Sequence, residues 1–303
     1  MKFSQILPVV AIYFIALGGC SNTAPDYSEF YRDPETVKED PSLNDNQIKI
    51  MSFNIRYYNA NDKEDKAWDV RKAAFIPMIA EQRPTVIGVQ EARPPQLKWL
   101  EDNWKDYAYI GKGPRNNNSN TDEFVPIFYR KKAVELIDWG CFWLSETPDV
   151  AASQGWDSTV PRVATWAVFK HLASGKKFFF INTHIDVESK VAPAKSMEVI
   201  ISKMSELNPE NLPMLLTADF NKQIDSNIFD GVKKFMTNVR LSAPVTDSKH
   251  SYTGFGTATP YIVDHIFCTG FKPLKFETID KVYEKITYIS DHYPIVGKLE
   301  YVK

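Results

Sequence analysis

The sequence predicts one domain of the α/β class, and three observations support this. Short runs rich in Ile, Val and Phe alternate along the chain with segments of helical periodicity. From about residue 46 onward there is no second linker and no internal repeat, so a single domain over residues 46–303 is the simplest organisation. With 303 residues, of which 44% are hydrophobic and 24% charged, the chain can bury a sizeable core.

The amino-terminal residues predict export and a lipid anchor. Lys2 precedes an apolar run over residues 6–17, which is short for a bilayer span and typical of a signal peptide. The run ends L-G-G-C, which resembles the bacterial lipobox and makes residues 1–20 a lipoprotein signal with Cys20 as the lipid-modified residue. A plain signal peptide with an incidental cysteine is the alternative. We therefore expect an exported cell-envelope protein that is anchored in the outer membrane through Cys20, on its periplasmic or surface face.

Residues 21–45 predict a tether, and the overall charge of the chain limits the kinds of partner that it can bind. Residues 21–45 are polar and interrupted by prolines, which is typical of a flexible tether. The net charge of -2 argues against strong general binding to a long polyanion, so a nucleic-acid substrate would have to be held locally. Cys141 and Cys268 lie in strand-like stretches and are expected to be buried free thiols.

Apolar runs and helical spacing place the main elements within this domain. The predicted strands cover residues 48–56, 85–90, 124–130, 164–171, 177–183, 213–217, 261–268 and 293–299. Helical patterns cover residues 69–82, despite Pro77, and residues 194–207, where apolar side chains recur at helical spacing. We interpret those apolar stripes as core.

Polar side chains stand at the ends of most predicted strands, where a buried sheet would not select them. The residues are Asn54, Arg56, Glu91, Arg93, Asn182, His184, Asp219, Asn221, Asp264, Asp291 and His292. Because an unpaired ion in an apolar strand costs several kcal/mol, so many placements indicate a shared purpose. If the strands lie side by side, these side chains meet at one rim of the sheet.

The composition of that rim predicts both a metal and a reaction. Its oxygen ligands outnumber its nitrogens, which suits Mg²⁺, Mn²⁺ or Ca²⁺ better than zinc. Such an ion neutralises charge on a phosphate and its leaving oxygen, while a histidine held by a carboxylate removes a proton from water. We therefore expect attack of water on a phosphorus centre.

The histidines have individual interpretations. Taken alone, Asp291 and His292 would be an ordinary polar turn that leads into an edge strand. His171 and His250 are interpreted as surface residues, and His265 as packed or exposed, because it points to the opposite strand face from Asp264.

Six motifs follow one another in the order found in a known family. They are M-S-F-N-I-R, V-I-G-V-Q-E-A, I-N-T-H-I-D, A-D-F-N, V-D-H-I-F and S-D-H-Y-P. Any one is weak evidence, whereas all six in order are specific. On these motifs, residues 47–302 resemble the endonuclease/exonuclease/phosphatase superfamily, the fold of DNase I, and its bacterial lipoprotein-type members in particular.

The resemblance implies a role for each matching residue. Glu91 resembles the main metal ligand, with Asn54 and Asp291 beside it. His292 resembles the general base, and Asp264 the carboxylate that orients it.

The remaining matches concern the phosphate. Asp219 and Asn221 resemble the pair that contacts the phosphate, the water or a second metal, and His184 the histidine that hydrogen-bonds the phosphate or aids the leaving group. Glu123 falls where DNase-like members keep a carboxylate paired to that histidine, and Arg162 matches a family arginine near the site.

The resemblance also implies the fold and the activity. The expected architecture is a four-layer α/β sandwich, with two mixed β-sheets packed face to face and helices outside. The expected activity is that of a divalent-metal-dependent phosphodiesterase or endonuclease-like phosphoester hydrolase, with Mg²⁺, Mn²⁺ or Ca²⁺ as cofactor. The alternatives are a phospholipid or inositol-phosphate hydrolase of the same fold and a catalytically inactive binding lipoprotein. We expect a monomer.

One position differs from the family motif, and two aromatic stretches are candidates for contact with the substrate. Ala218 replaces the usual glycine of G-D-F-N, which matters only if that backbone needs positive φ. The aromatic stretches at residues 139–144 and 254–256 are candidates for a substrate cleft, although the first is more typical of core.

Overall fold

Two mixed β-sheets of six strands each, with helices on their outer faces, make up the part of the chain that the computed structural model describes, residues 40–117 and 119–302. The predicted four-layer α/β sandwich is therefore confirmed. The predicted signal segment, Cys20 and the first part of the predicted tether lie outside the described residues. The last residues of that tether pack against the domain, because Asp40 is buried and forms an ion pair with Lys49.

The strands and helices have the following bounds. In chain order the strands are β1 (Gln47–Asn54), β2 (Val86–Gln90), β3 (Tyr107–Ile110), β4 (Ile127–Arg130), β5 (Val134–Trp143), β6 (Val163–His171), β7 (Lys177–His184), β8 (Met214–Asp219), β9 (Thr237–Asn238), β10 (Asp264–Thr269), β11 (Phe271–Thr278) and β12 (Ile295–Tyr301). The helices are α1 (Trp68–Arg71), α2 (Phe75–Gln82), α3 (Pro94–Asn103), α4 (Ala192–Leu207) and α5 (Val239–Ser242).

Each sheet has one parallel pair of strands at its centre. The first sheet has the order β11-β12-β1-β2-β4-β3, in which β1 and β2 are parallel. The second has the order β5-β6-β7-β8-β10-β9, in which β7 and β8 are parallel. The strand that follows the Asp291–His292 pair, β12, lies between β11 and β1 and is not an edge strand.

Three apolar layers hold the sandwich together. In β7, Phe178 and Phe180 pack into the core between the sheets, while Phe179 and Ile181 pack against the layer that contains α4. This two-sided burial explains why the strand is apolar without alternation. On the other side, α1, α2 and α3 cover the first sheet with aromatic side chains, Phe75 and Trp104 among them.

The predicted helix over residues 69–82 is broken in two. A 3₁₀ turn over Lys72–Ala74 separates α1 from α2. Pro77 stands near the start of α2 and has no N–H to donate to the fourth residue before it, so the chain tightens ahead of this position. The predicted helix over residues 194–207 is α4, which begins two residues earlier.

Two other predictions about single residues have different outcomes. His171 is buried, with a hydrogen bond between its Nδ1 and Ser174 and its ring stacked on Tyr301, so its assignment to the surface is wrong. Cys141 and Cys268 are both free thiols, the first half-buried and the second buried. In the described ranges, no helix combines the length and the apolar character that a bilayer span requires.

Candidate active site

Strand direction brings the polar strand ends of the first sheet to one edge. Since β1 and β2 run parallel, Asn54 and Glu91 stand side by side where these strands finish. Strand β12 runs antiparallel to β1, so the residues just before it, Asp291 and His292, lie at the same edge.

The second sheet contributes in the same way. The parallel strands β7 and β8 end at His184 and Asp219, which are partners in the strand register, and Asn221 follows. Strand β10 begins at Asp264, directly opposite Asp219. Each sheet therefore supplies half of a shared site.

Hydrogen bonds across the gap between the sheets join the two halves. The Asn54 amide Nδ2 donates to Glu91 Oε1 at 3.0 Å and to Asp219 Oδ2 at 2.9 Å. The Nδ1 atom of His292 lies 2.8 Å from Asp264 Oδ2. The structure thus brings together the eight residues that were predicted to hold the metal, to move the proton or to contact the phosphate.

His292 has the surroundings that a general base needs. Its Nδ1 is held by Asp264, which leaves Nε2 facing the Asp219 carboxylate at 3.5 Å. Burial disfavours the charged ring, but Asp264 and Asp219 outweigh that effect and raise the pKa of His292 well above its usual value. Without a metal ion these carboxylates favour the protonated ring, and a cation bound to Asp219 would weaken that attraction and leave Nε2 free to accept a proton.

His184 has the opposite protonation preference. Burial, together with Arg162 and His292, lowers the pKa of His184 well below its usual value. The Asn221 amide Nδ2 lies 3.0 Å from His184 Nε2 and can only donate, so this neutral ring carries its proton on Nδ1. His184 is therefore a neutral hydrogen-bonding group rather than a second base.

The carboxylates of the site are crowded and poorly solvated. Burial is the main reason that the pKa of Glu91 is raised to about 7, with Asp291 and Glu123 adding to the rise. Burial also raises the pKa of Asp219 to about 6, in spite of the attraction of His292. A divalent cation among these oxygens would offset both the burial and the repulsion between carboxylates that raise these two pKa values.

The donor set therefore fits a hard divalent metal ion. Ligand atoms of Glu91, His184 and Asp219 lie within 4.8 Å of one another, and so do those of Asp219, Asp264 and His292. Glu91 also contacts Asn54, and Asp291 stands at the same edge of the sheet. Carboxylate oxygens dominate the set, which is the chemistry that Mg²⁺, Mn²⁺ and Ca²⁺ prefer; Asn54 would have to turn its amide oxygen inward to join them, because its nitrogen now faces the carboxylates.

Three residues at the site have left-handed backbone conformations. Their φ angles are 57° at Arg56, 62° at Glu91 and 52° at Asn221. Each stands shortly after a strand end, where the chain turns sharply to present a side chain to the site. Ala218 lies within β8 and is not among the positive-φ residues, so replacing the family glycine there needs no special backbone.

Arg162 and Glu123 lie beside His184. All three line a cavity of about 80 Å³. The Arg162 Nε atom lies 3.4 Å from Asp186 Oδ2. Glu123 forms an ion pair with Arg93 at 3.0 Å, so the structure pairs this carboxylate with an arginine and not with His184.

A buried polar network beneath the site links the two sheets. Asn182 donates to the carbonyls of Val89 at 2.8 Å and Pro126 at 3.0 Å, and its Oδ1 accepts from Gln90 at 2.7 Å and Thr217 at 3.0 Å. Asn182 is fully buried, so this strand-end amide is structural.

Sequence reasoning missed two residues that position the site. Arg71 is fully buried and donates to the carbonyls of Ile55 at 3.1 Å and Ile289 at 2.8 Å, which joins the end of β1 to the segment before Asp291. Ser290 donates to the Asn54 carbonyl at 2.8 Å. The serine is visible in S-D-H, but Arg71 lies in an ordinary helical pattern and gives no signal in the sequence.

The fold and the order of the site residues are those of one protein family, and comparison with known proteins agrees. A model of the endonuclease/exonuclease/phosphatase family matches residues 51–292, and the chain belongs to this family. No curated protein sequence matches the chain.

Solved structures from Bacteroides are similar along nearly their whole length. An endonuclease/exonuclease/phosphatase from Bacteroides vulgatus is 32% identical, with a TM-score of 0.78, and the match covers 84% of this chain and 99% of that one. A family protein from Bacteroides thetaiotaomicron is 30% identical, with a TM-score of 0.77 and coverages of 84% and 98%. The mannosyl-6-phosphatase of Bacteroides thetaiotaomicron VPI-5482 is also 30% identical, with a TM-score of 0.76 and coverages of 84% and 100%.

Proposed function

We propose that this protein is a divalent-metal-dependent phosphoester hydrolase in which His292 activates the attacking water. The observation that carries the proposal is the buried pair of His292 Nδ1 and Asp264 Oδ2, which lie 2.8 Å apart. The other ring nitrogen of His292 faces Asp219, which in turn contacts Asn54. A structural histidine would need one hydrogen-bond partner, whereas His292 faces two carboxylates.

The residues divide the reaction between them. Asp264 fixes the ring of His292, and Asp219 holds the water near Nε2 while His292 removes its proton. His184 and Asn221 flank the phosphate without adding charge; to donate to its oxygens, the Asn221 amide leaves His184 and the ring carries its proton on Nε2, and Arg162 is placed to contact the phosphate near His184.

Asn54, Glu91 and Asp291 would hold the metal ion, with Asp219 next to them. When bound, the ion neutralises charge on the phosphate and on the leaving oxygen. The crowding that raises the pKa of Glu91 supports such a site, because a cation is the simplest compensation for it.

Within the class of phosphoesters, a phosphate ester of a sugar is one specific candidate for the substrate. Its support is the 30% identity to a mannosyl-6-phosphatase across the whole length of that protein. Nucleic acids, phospholipid head groups and inositol phosphates are the other candidates. The near-neutral charge of the chain favours the small substrates over a long polyanion.

The proposal includes a location. The lipobox-like L-G-G-C supports an exported lipoprotein that is anchored to the membrane at Cys20. Labelling with a radioactive fatty acid in cells, compared between the natural chain and Cys20→Ala, tests the anchor. Equal labelling of the two proteins would contradict it.

The activity is tested with a panel of phosphoesters. The purified protein is assayed with Mg²⁺, Mn²⁺, Ca²⁺ or EDTA on plasmid DNA, RNA, sphingomyelin, inositol phosphates, hexose phosphates and p-nitrophenyl phosphate. Metal-dependent release of phosphate or cleavage is expected. Folded protein that acts on none of them with any metal would favour the inactive binding lipoprotein.

A further inference from the structure

A larger cavity adjoins the catalytic residues on the side of Asp291. It has a volume of about 580 Å³ and is lined by the loop over residues 61–66, by Tyr252 and Phe255, and by Arg56 and Asp291 of the site. We call it the side cleft. Its size suits a ligand group as large as a sugar.

The charges of the side cleft do not suit a second phosphate. Four of its charged residues are acidic and three are basic. Of the basic ones, Arg56 is already paired with Asp62 at 3.1 Å and lies 3.7 Å from Asp291. A chain of phosphates that continued beyond the scissile one would need an excess of cations here.

The side cleft does suit an uncharged group with many hydroxyls. Its wall offers the Asn61 amide, the Asp65 carboxylate and the Lys66 ammonium, so acceptors and donors lie close together. A hydroxyl group donates and accepts at once and matches such a mixture. The half-buried ring of Tyr252 adds aromatic surface that can pack against the carbon atoms of a sugar ring, and the buried Phe255 supports the floor of the cleft.

The walls of the side cleft are fixed to the catalytic residues. The backbone N–H groups of Thr253 and Gly254 donate to the Asp291 carbonyl at 2.8 and 3.1 Å. On the opposite wall, Arg56 connects Asp62 with Asp291. An occupant of the cleft would therefore be held at a defined distance from the phosphate.

We propose that the side cleft binds an uncharged polyhydroxyl group of about the size of a hexose, which is esterified to the scissile phosphate. This inference rests on the proposed phosphoesterase function. It identifies the alcohol part of the substrate, whereas the catalytic residues contact only the phosphate. Asn61 and Asp65 are its specificity-determining residues.

The first test separates binding of this group from catalysis. Steady-state kinetics are measured on mannose 6-phosphate, myo-inositol 1-phosphate and glycerol 3-phosphate, and on p-nitrophenyl phosphate, which has no hydroxyl groups. For Asp65→Ala and Asn61→Ala we expect KM for the preferred polyol ester to rise about tenfold, the equivalent of about 1.4 kcal/mol, with kcat within about twofold. Kinetics on p-nitrophenyl phosphate should not change. The three esters distinguish a hexose from an inositol or a glycerol head group.

Asp69→Ala is the matched control. Asp69 is an exposed carboxylate a few residues further along the chain, and it pairs with Lys72 outside the side cleft. Its replacement should leave all four substrates unaffected. Equal effects of Asp69→Ala and Asp65→Ala would overturn the proposal, and so would hydrolysis of p-nitrophenyl phosphate without any preference for a polyol ester.

A binding measurement keeps the inference testable if no ester is hydrolysed. Calorimetric titration of His292→Ala with mannose 6-phosphate, myo-inositol 1-phosphate and inorganic phosphate compares affinities without turnover. We expect a polyol ester to bind about tenfold more tightly than phosphate, and Asp65→Ala to abolish the difference. Equal affinities would refute the side-cleft proposal, whereas absence of turnover in the natural protein refutes only the proposed hydrolase function.

Discussion

Replacement of Arg71 by Met tests whether the buried guanidinium positions the two strand ends of the site. Three of its hydrogen bonds, to the carbonyls of Lys66, Ile55 and Ile289, are 2.7 to 3.1 Å long. At roughly 1.5 kcal/mol each, their loss costs about 4 to 5 kcal/mol. Burial lowers the pKa of Arg71 from its usual value to about 10, so removal of the charge returns about 3 kcal/mol. The free energy of unfolding should therefore fall by only about 1 to 2 kcal/mol.

The effect on activity should be larger than the effect on stability. Arg71 connects the backbone just after Asn54 with the backbone just before Asp291, and a misplacement of about 1 Å in a catalytic site costs on the order of 100-fold. Urea unfolding gives the stability, and kcat/KM is measured at a temperature where the variant is fully folded.

A second buried arginine provides the control. Arg240 donates to the carbonyls of Asp247 and Lys249 and to the Thr278 hydroxyl, none of which carries a predicted ligand or base. Because Arg240→Met also breaks an ion pair with Asp247 at 3.1 Å, it should lose at least as much stability as Arg71→Met, and it should keep its activity within about threefold. Full activity in Arg71→Met, or equal losses in both variants, would refute a positioning role for Arg71.

Three further predictions concern the base, the polar layer and pH. His292→Ala and Asp264→Asn should each lower kcat by about 10²- to 10⁴-fold without unfolding, measured by steady-state kinetics and circular dichroism; unchanged kcat would reject the assigned base. Gly88→Ala should lower the free energy of unfolding by about 1 to 3 kcal/mol in urea titrations. The reason is that an added Cβ would lie 2.7 Å from Asn182 Cγ and would also meet the Thr217 hydroxyl. An unchanged unfolding midpoint would contradict this prediction. Burial lowers the pKa of His265 from 6.5 to about 4, so between these pH values the unfolded chain binds a proton that the folded protein does not. The free energy of unfolding should therefore drop by roughly 3 kcal/mol as the pH falls from 6.5 to 4. His265→Gln should remove this part of the pH dependence in urea unfolding, and an unchanged pH dependence would contradict the prediction.

The sequence predicts the central strands and the composition of the site because both depend on local patterns. Strands buried on two faces are continuous apolar runs, and each site residue stands directly at the end of such a run. Pairing across the molecule is not local. The partner of Glu123, for example, is Arg93, which lies 30 residues earlier in the chain.

The edge strands were harder to predict for identifiable reasons. In β5 the register shifts between Leu136 and Asp138, which interrupts the two-residue alternation on which a strand prediction depends. In β11, Pro273 stands at a similar shift, on the outer strand of its sheet, where proline is tolerated. The sequence of α3 begins with two prolines, which favour the first turn of a helix but more often indicate a loop.

The division of the site between two sheets explains why polar residues are buried beneath it. Asn54, Glu91, Asp291 and His292 belong to one sheet, and His184, Asp219, Asn221 and Asp264 to the other, so the site is complete only if the sheets keep one relative position. An apolar interface does not fix that position, because hydrophobic contact has no direction. The amide of Asn182 does, since three of its four hydrogen bonds, to Val89, Gln90 and Pro126, cross between the sheets and allow a single register, while the fourth joins it to Thr217 on the neighbouring strand of its own sheet. The polar strand ends therefore form two layers. The inner layer, around Asn182, aligns the two sheets. The outer layer lies one or two residues further along the strands and contains the residues available for chemistry, such as Glu91 and His184.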